Sequence, residues 1–232
     1  MNRRNVRVLI AVLMATALFS FAAATGSASS RLIVDNFKEK EATEITDHDP
    51  KTDVVGGGWS VVLGTWELKK GKARELSTAP VVVSSDYQAV IDAGTSDTSV
   101  ILKLNINKKS DQFWGVVTRY SGTRDWIMAF HDGVGDLVLG KKRPNEDESG
   151  AVVDILSETA GGFQELGRVP VKWKKGRHKI TLTTTGDKIV VYAGKKLVLT
   201  AFDDDDMSST VVGIFSRGTG KNKFEKFTVN QN

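Results

Sequence analysis

The feature that most constrains this chain is a long series of short segments in which apolar and polar residues alternate, separated by Gly, Asp, Asn or Ser. Segments of this kind, spaced about 8–12 residues apart with turn residues between them, indicate the strands of an all-β sandwich or barrel. Alternating faces are typical of antiparallel sheets, and two such sheets pack into a sandwich. The predicted strands are Trp59–Leu63, Thr65–Leu68, Tyr87–Ile91, Ser99–Ile106, Phe113–Tyr120, Trp126–His131, Asp136–Leu139, Ala151–Leu156, Arg177–Thr183, Lys188–Tyr192, Lys196–Phe202, Val211–Phe215 and Lys223–Val229.

The first 28 residues predict a secretory signal peptide. Three arginines, the last of them Arg7, precede an apolar run from Val8 to Ala24, and small residues follow that run. An uncleaved membrane anchor is the alternative, although the run is at the lower limit of the length that spans a bilayer. We therefore expect a secreted or periplasmic protein in which residues 29–232 form one domain.

Cysteine content and charge exclude several classes of protein. The chain has no cysteine, so it has no disulfide framework, thiolate nucleophile or thiolate metal site. Cleavage of the signal peptide removes three of the 32 basic residues and none of the 28 acidic ones, which leaves the mature chain nearly neutral. The Lys/Arg clusters alternate with acidic runs, and we interpret them as solvated loops and lysine-protected edge strands. Nucleic acid is not predicted as a partner.

Several motifs follow one another in an order that resembles a known superfamily. Asp35–Phe37 is an Asp-x-Phe segment, Trp59–Trp66 has the W…G-x-W pattern, and Gly115–Arg119 has the G-x-x-x-R pattern. A hairpin follows at Lys188–Thr200, and the last segment, Phe224–Val229, begins with a phenylalanine. This order resembles the concanavalin A-like lectin/glucanase superfamily, in particular the laminin-G-like modules of secreted bacterial and phage proteins. The resemblance implies a jelly-roll sandwich of two curved antiparallel sheets over residues 33–230, whose concave face often holds carbohydrate.

The sequence offers little support for catalysis. Hydrolases of the laminarinase type in this superfamily use E-x-D-x-x-E on a central strand, which places two carboxylates at the glycosidic bond. The nearest match, Glu39–Glu44, has Glu at its central position and lies in a charged stretch that predicts either a helix or an exposed loop. No G-x-S-x-G, H-E-x-x-H or P-loop motif occurs, and the three histidines are dispersed. We expect a non-catalytic protein, with a divergent glycoside hydrolase as a less favoured alternative.

Two acidic runs, at residues 47–53 and 203–206, are the dense sets of oxygen ligands in the sequence. Neither has the spacing of an EF-hand loop. We interpret both runs as solvated inter-strand loops and keep calcium as an alternative. No other cofactor is predicted.

Residues 113–132 concentrate the side chains that suit sugar recognition, which needs an aromatic platform and a few directed polar groups. Arg119 matches the strand arginine that the resemblance implies, and its predicted face includes Gly115, where a ligand could approach the backbone. Trp126 and His131 have opposite strand parity, so a regular strand cannot present both to one ligand. We therefore rank Arg119 and Trp126 ahead of His131.

Trp114 is the fourth candidate ligand-binding residue, although alternation with Val116 is more typical of a buried position. On a regular strand Trp114, Val116, Thr118 and Tyr120 share one face. Of the other tryptophans, Trp59 and Trp66 are predicted to lie in the core, and Trp173 begins a basic turn before a strand.

The leading functional hypothesis is a secreted, non-catalytic, lectin-like module that binds carbohydrate or another extracellular polymer. The alternative is a structural or protein-adhesion module without a sugar site. An exposed cluster of aromatic residues on the concave face favours the first hypothesis, whereas a filled face favours the second. The sequence predicts neither the sugar nor the oligomeric state.

Overall fold

The computed structural model describes residues 29–76, 86–106, 113–122, 125–143, 163–203, 205, 208–217 and 223–232. Among these residues the predicted strands are present, most of them one to three residues longer than predicted. The elements are β1 Arg31–Asp35, β2 Thr43–Glu44, a 3₁₀ turn Ile45–Asp47, β3 Thr52–Asp53, β4 Ser60–Leu63, β5 Trp66–Leu68, β6 Ala73–Glu75, β7 Asp86–Asp92, β8 Thr98–Ile106, β9 Phe113–Gly122, β10 Asp125–Asp132, β11 Asp136–Lys142, β12 Phe163–Pro170, β13 Gly176–Thr185, β14 Lys188–Ala193, β15 Lys196–Phe202, β16 Val211–Arg217 and β17 Lys223–Gln231. The predicted signal peptide and the predicted strand Ala151–Leu156 lie outside the described residues.

The strands form two antiparallel sheets that pack into a jelly-roll sandwich, as predicted. The first sheet has the order β15-β14-β13-β8-β17-β6-β5-β2, with β1 paired to β17 and β3 paired to β1. The second sheet has the order β12-β11-β10-β9-β16-β7-β4. The last strand, β17, therefore lies beside the first strand, β1.

Two apolar clusters follow from the alternation of side chains across the sheets. The larger cluster draws on both sheets and fills the space between them, and it includes Trp59 and Trp66 as predicted. The smaller cluster draws only on the second sheet and lies on the face of that sheet that points away from the first. We call the faces that meet in the sandwich the inner faces and the opposite faces the outer faces.

The predicted alternation along β9 is wrong after Thr118. Arg119 has a φ of 49°, a left-handed conformation that few non-glycine residues adopt, and the register between β9 and β10 shifts beside it. Tyr120 therefore belongs to the outer cluster with Val117, whereas Trp114 and Val116 belong to the inner cluster. A bulge of this kind is a long-range feature of strand pairing, and regular alternation cannot predict it.

The charged stretch after β1 contains no α-helix. It holds the two-residue strand β2 and a single 3₁₀ turn whose Ile45 is fully buried. Of the two alternatives for this stretch, the structure therefore favours the loop.

Candidate functional site

The four predicted ligand-binding residues lie in three different places. Trp114 and His131 are cross-strand neighbours on the inner face of the second sheet, at one end of the sandwich. Trp126 lies on the outer face of the same sheet. Arg119 lies toward the opposite end of β9 from Trp114. These four residues therefore do not form one site.

Arg119 ties the two sheets together at its end of the sandwich. Its guanidinium donates hydrogen bonds to the Gly186 carbonyl oxygen at 2.6 Å and to the Asp97 carboxylate at 3.2 Å. The side chain is only 4% exposed. Gly115 serves packing on the same strand, since a Cβ there would lie 2.3 Å from the Ala129 carbonyl oxygen.

Trp126 is fully buried in the outer cluster, with Phe163 beside it at a centroid distance of 6.2 Å. Tyr120 is buried in the same cluster, and burial raises the pKa of its hydroxyl to about 12. The aromatic face on which the lectin hypothesis first focuses is thus filled. This filled face favours the structural alternative, because Trp126 is not accessible to a sugar there, and a sugar would have to bind at another place on the molecule.

Trp173 provides such a place, and its position was not predicted as a site. It lies in the loop between β12 and β13, half-buried, and its ring stacks against Trp114 at a centroid distance of 4.9 Å and against His131 at 5.6 Å. The other four tryptophans are buried. The signal available in the sequence was its location in a loop rather than on an alternating strand.

The loop that carries Trp173 is fixed by hydrogen bonds. The Trp173 N–H donates to the Val171 carbonyl oxygen at 2.9 Å, and the Val171 N–H donates to the Gly135 carbonyl oxygen at 2.8 Å. The His178 ring, 5.3 Å from the Trp173 ring, hydrogen-bonds to the Lys174 carbonyl oxygen at 2.6 Å. The indole is therefore held before any ligand arrives, which reduces the entropy lost on binding.

A cavity of about 360 Å³ opens beside Trp173, between its loop and the turn that joins β10 to β11. Its polar groups are His131, Asp136, Lys172 and the backbone of the turn, and Val134 on its rim is 87% exposed. An apolar ring with a few converging polar groups is the usual composition of a small-ligand site.

Asp132 holds the turn that forms one wall of this cavity. Its Oδ1 accepts hydrogen bonds from the backbone N–H groups of Val134, Gly135 and Asp136 at 3.0–3.1 Å, and Arg168 donates to Oδ2 at 2.6 Å. Burial alone would raise the pKa of Asp132, but these hydrogen bonds outweigh it and hold the pKa below its ordinary value. The wall is therefore pre-organised at neutral pH.

A second cavity, of about 430 Å³, lies on the other side of the loop and also includes Trp173. Its remaining lining comes from the first sheet and is largely cationic: Lys103, Arg177, His178, Lys179, Ala193, Gly194 and Glu225. Trp173 thus contributes apolar surface to two adjoining cavities. We call this pair the Trp173 site.

Three carboxylates of the acidic runs considered for calcium, Asp53, Asp203 and Asp205, are engaged in protein contacts. Lys141 donates to Asp203 at 2.5 Å and to Asp205 at 2.7 Å, and Asp53 accepts hydrogen bonds from the N–H groups of Gly56 and Gly58. Among the described residues no group of three acidic or histidine side chains is arranged to hold a metal ion. Calcium dependence stays a prediction.

Glu39, from the weak hydrolase-like motif, belongs to a buried ionic cluster. The His48 ring contacts Glu39 at 2.6 Å through Nδ1 and Asp35 at 2.9 Å through Nε2, while the Trp59 indole N–H donates to Asp35 at 2.7 Å. Burial lowers the pKa of His48, but the hydrogen bonds to Asp35 and Glu39 outweigh burial and raise the pKa above its ordinary value. A protonated ring donates from both nitrogens, so the cluster joins β1 to the loop that follows it.

Comparisons with known proteins support the fold. No family model and no curated protein matches the chain. A Bacillus subtilis protein of unknown function with a galectin-like fold aligns with a TM-score of 0.60 and 10% identity, over 87% of this chain and 96% of its own. LamAcat from Zobellia galactanivorans aligns with a TM-score of 0.52 and 9% identity, over 87% of this chain and 98% of its own.

A LamA variant solved in complex with laminaritriose and laminaritetraose aligns equally well, with a TM-score of 0.52 and 9% identity, over 87% of this chain and 99% of its own. At these identities the likeness shows the fold alone, a jelly-roll sandwich of two antiparallel sheets. In the part of the chain that the structure describes, no helix is long and apolar enough to cross a membrane.

Proposed function

We propose that the protein is a secreted, lectin-like carbohydrate-binding module of the laminin-G-like kind, exported by the signal peptide in residues 1–28. The observation that carries the proposal is Trp173, which is half-buried where the other four tryptophans are buried and which contributes to two cavities with polar walls. An indole supplies apolar surface for the C–H groups of a sugar ring, and nearby polar groups supply directed hydrogen bonds. One fold relative, the LamA variant, binds oligosaccharides.

Within the Trp173 site each group has a defined role. The Trp173 ring contacts the sugar ring, and its indole N–H, which has no hydrogen-bond partner among the described residues, donates to a hydroxyl. Lys172 and Asp136 at the first cavity bind further hydroxyls. His131 acts mainly by supporting the Trp173 ring from the inner face. Of the four residues predicted from sequence, this proposal keeps His131 and Trp114 as support for the site.

A glycan array tests the proposal with wild-type protein, Trp173→Ala and a matched control, Phe202→Ala. Phe202 is 66% exposed, so its removal deletes an exposed aromatic ring that lines neither cavity. We expect specific binding by wild type and control and binding weaker by about tenfold for Trp173→Ala, the loss of one good aromatic contact. Equal binding by Trp173→Ala and wild type contradicts the proposal. Repeating the array with calcium and then with a chelator tests the calcium prediction.

A second candidate function, a structural or protein-adhesion module, is favoured by the filled outer face of the second sheet. It predicts a blank array from well-folded protein. A divergent glycoside hydrolase predicts new reducing ends after incubation with the glycans that bind. The three functions therefore give different results with the same protein and the same panel.

A further inference from the structure

Three lysines form a row across the middle of the first sheet. Lys179 on β13 is the register partner of Lys103 on β8, and Lys103 is also the register partner of Lys226 on β17. Their neighbours Ile180, Leu102 and Phe227 belong to the inner cluster, so the three lysines lie on the outer face. Three strands from separate parts of the sequence thus each contribute one lysine to the row.

This row is unfavourable for the fold on its own. Like charges directly opposite one another on adjacent strands are destabilising. None of the three lysines forms an ion pair with any described residue. The nearby carboxylate of Glu225 is bound by Arg177 at 3.0 Å and approached by Lys72 at 3.8 Å. A bound anion would offset the repulsion that the protein leaves in place.

The lysine row continues the Trp173 site. The second cavity of that site contains Lys103 and Lys179 in addition to Trp173. A further cavity of about 500 Å³ contains Lys103 and Lys226, and it continues through Lys72 into a cavity of about 340 Å³ lined by basic residues alone. Among the described residues that line these last three cavities, Glu225 is the one carboxylate. We call this run of cavities the basic track.

We propose that the basic track binds an anionic polysaccharide, one that carries carboxylate or sulfate groups, and that the chain of this polymer ends or turns at Trp173. This inference rests on the proposed function and names its substrate class. Neighbouring strands lie about 4.8 Å apart, so the lysine row repeats at an interval close to the length of one hexose in an extended chain. A long, open and positively charged surface suits a polymer better than a single small anion.

The test compares charged polymers with neutral polymers of the same backbone. Dextran sulfate is paired with dextran, and polygalacturonate is paired with its methyl ester, which separates sulfate from carboxylate recognition. The variant Lys103→Gln/Lys179→Gln/Lys226→Gln removes the row. Its matched control, Lys188→Gln/Lys195→Gln/Lys196→Gln, removes the same charge from exposed lysines of the β14–β15 hairpin that line none of the cavities.

We expect wild type and control to bind at least one charged polymer, with an affinity that falls steeply as salt rises because counterions are released on binding. The row variant should bind at least tenfold more weakly and with a smaller salt dependence. Circular dichroism and urea unfolding of each variant separate a loss of binding from a loss of folding.

The outcomes distinguish failure of the anionic-ligand inference from failure of the proposed carbohydrate-binding function. Equal binding of neutral and charged polymers, weakened by Trp173→Ala and unchanged in the row variant, overturns the anionic ligand and leaves the carbohydrate-binding function standing. No binding to any polymer, with a blank glycan array, overturns both. If the row mutation weakens binding to phosphatidylglycerol vesicles but not to polysaccharide, the track recognises a lipid surface instead and the inference is wrong.

Discussion

The outer faces of the two sheets both follow from the alternation of side chains along strands, yet one of them is buried and the other is exposed to water. On the second sheet the outer face carries Trp126, Met128 and Phe130, and all three are buried. On the first sheet the outer face carries the row Lys179, Lys103 and Lys226, of which the central Lys103 is exposed and the other two are half-buried. One face adds to the apolar interior of the protein, whereas the other holds charges in water.

The comparison teaches that a side chain's type does not decide its role; exposure and partners do. Trp126 and Arg119 are the residue types that a sugar site uses, yet one is fully buried and the other hydrogen-bonds to Gly186 and Asp97. Trp173 and Lys103 are not among the residues that the sequence predicts to bind a ligand, yet both line a cavity. Residues with satisfied partners should therefore affect stability when mutated, and those without partners should affect binding.

The largest expected effect comes from Trp126. Trp126→Ala should lower the free energy of unfolding by about 3–5 kcal/mol, the range for removing a large buried aromatic side chain. Urea unfolding measures this loss, with Trp126→Phe as the variant that keeps most of the packing and Phe202→Ala as an exposed aromatic control. A Trp126→Ala variant that is as stable as wild type but fails to bind glycan would show that the outer face of the second sheet serves binding and not stability.

Substitution of His48 should have a smaller effect on the free energy of unfolding. Its protonated ring is held by Asp35 and Glu39 in a buried cluster. Its pKa is raised in the folded state, so its contribution to stability is fully present below the unfolded pKa of about 6.5 and is lost as pH rises through the folded pKa. Once the ring is neutral, one nitrogen lone pair faces a carboxylate. His48→Gln should therefore be less stable than wild type by about 2 kcal/mol at pH 6.

Urea unfolding of wild type and His48→Gln at pH 6 and pH 9 checks this prediction. The difference between the two proteins should be smaller at pH 9 than at pH 6, because the stability that comes from the raised pKa of His48 is lost progressively as the pH rises above the unfolded pKa. A difference that stays constant or grows with pH would mean that His48 is neutral in the folded protein.

The sequence predicts those features of the fold and the site that depend on neighbouring residues along the chain. Strand positions follow from alternation, so most of the elements and the core role of Trp59 and Trp66 were predicted correctly. The parity of Trp126 and His131 was also correct, since the structure places them on opposite faces. Whether an outer face is buried depends on tertiary packing, which no local pattern contains.

The features that escaped prediction depend on long-range pairing. Lys103, Lys179 and Lys226 become neighbours only through the register of β8 with β13 and β17. Each of these lysines stands far from the other two in the sequence, where a single lysine is typical of a side chain exposed to water. The shift at Arg119 and the stacking of Trp173 on Trp114 likewise depend on contacts between distant segments.

The smallest expected effect on the free energy of unfolding comes from Lys103, which has no ion-pair partner among the described residues. Lys103→Gln should raise the free energy of unfolding by roughly 0.2–1 kcal/mol at low salt, because it removes a charge that lies opposite two others. The gain should diminish in high salt, which screens exposed charges. Lys188→Gln serves as the control, since Lys188 faces Thr185 and Phe202 and should give almost no change. A destabilised Lys103→Gln would show that the lysine row supports the fold.

The central claim is that Trp173 is the tryptophan that meets the ligand, and oxidative footprinting tests it most directly. Brief treatment of the folded protein with N-bromosuccinimide, followed by peptide mass spectrometry, reports the oxidation of each of the five tryptophans separately. We predict that Trp173 is oxidised fastest and that bound dextran sulfate protects it, while the four buried tryptophans react slowly with or without the polymer. Rapid oxidation of Trp126 that the polymer suppresses, with no protection of Trp173, would contradict the account and return the binding site to the outer face of the second sheet.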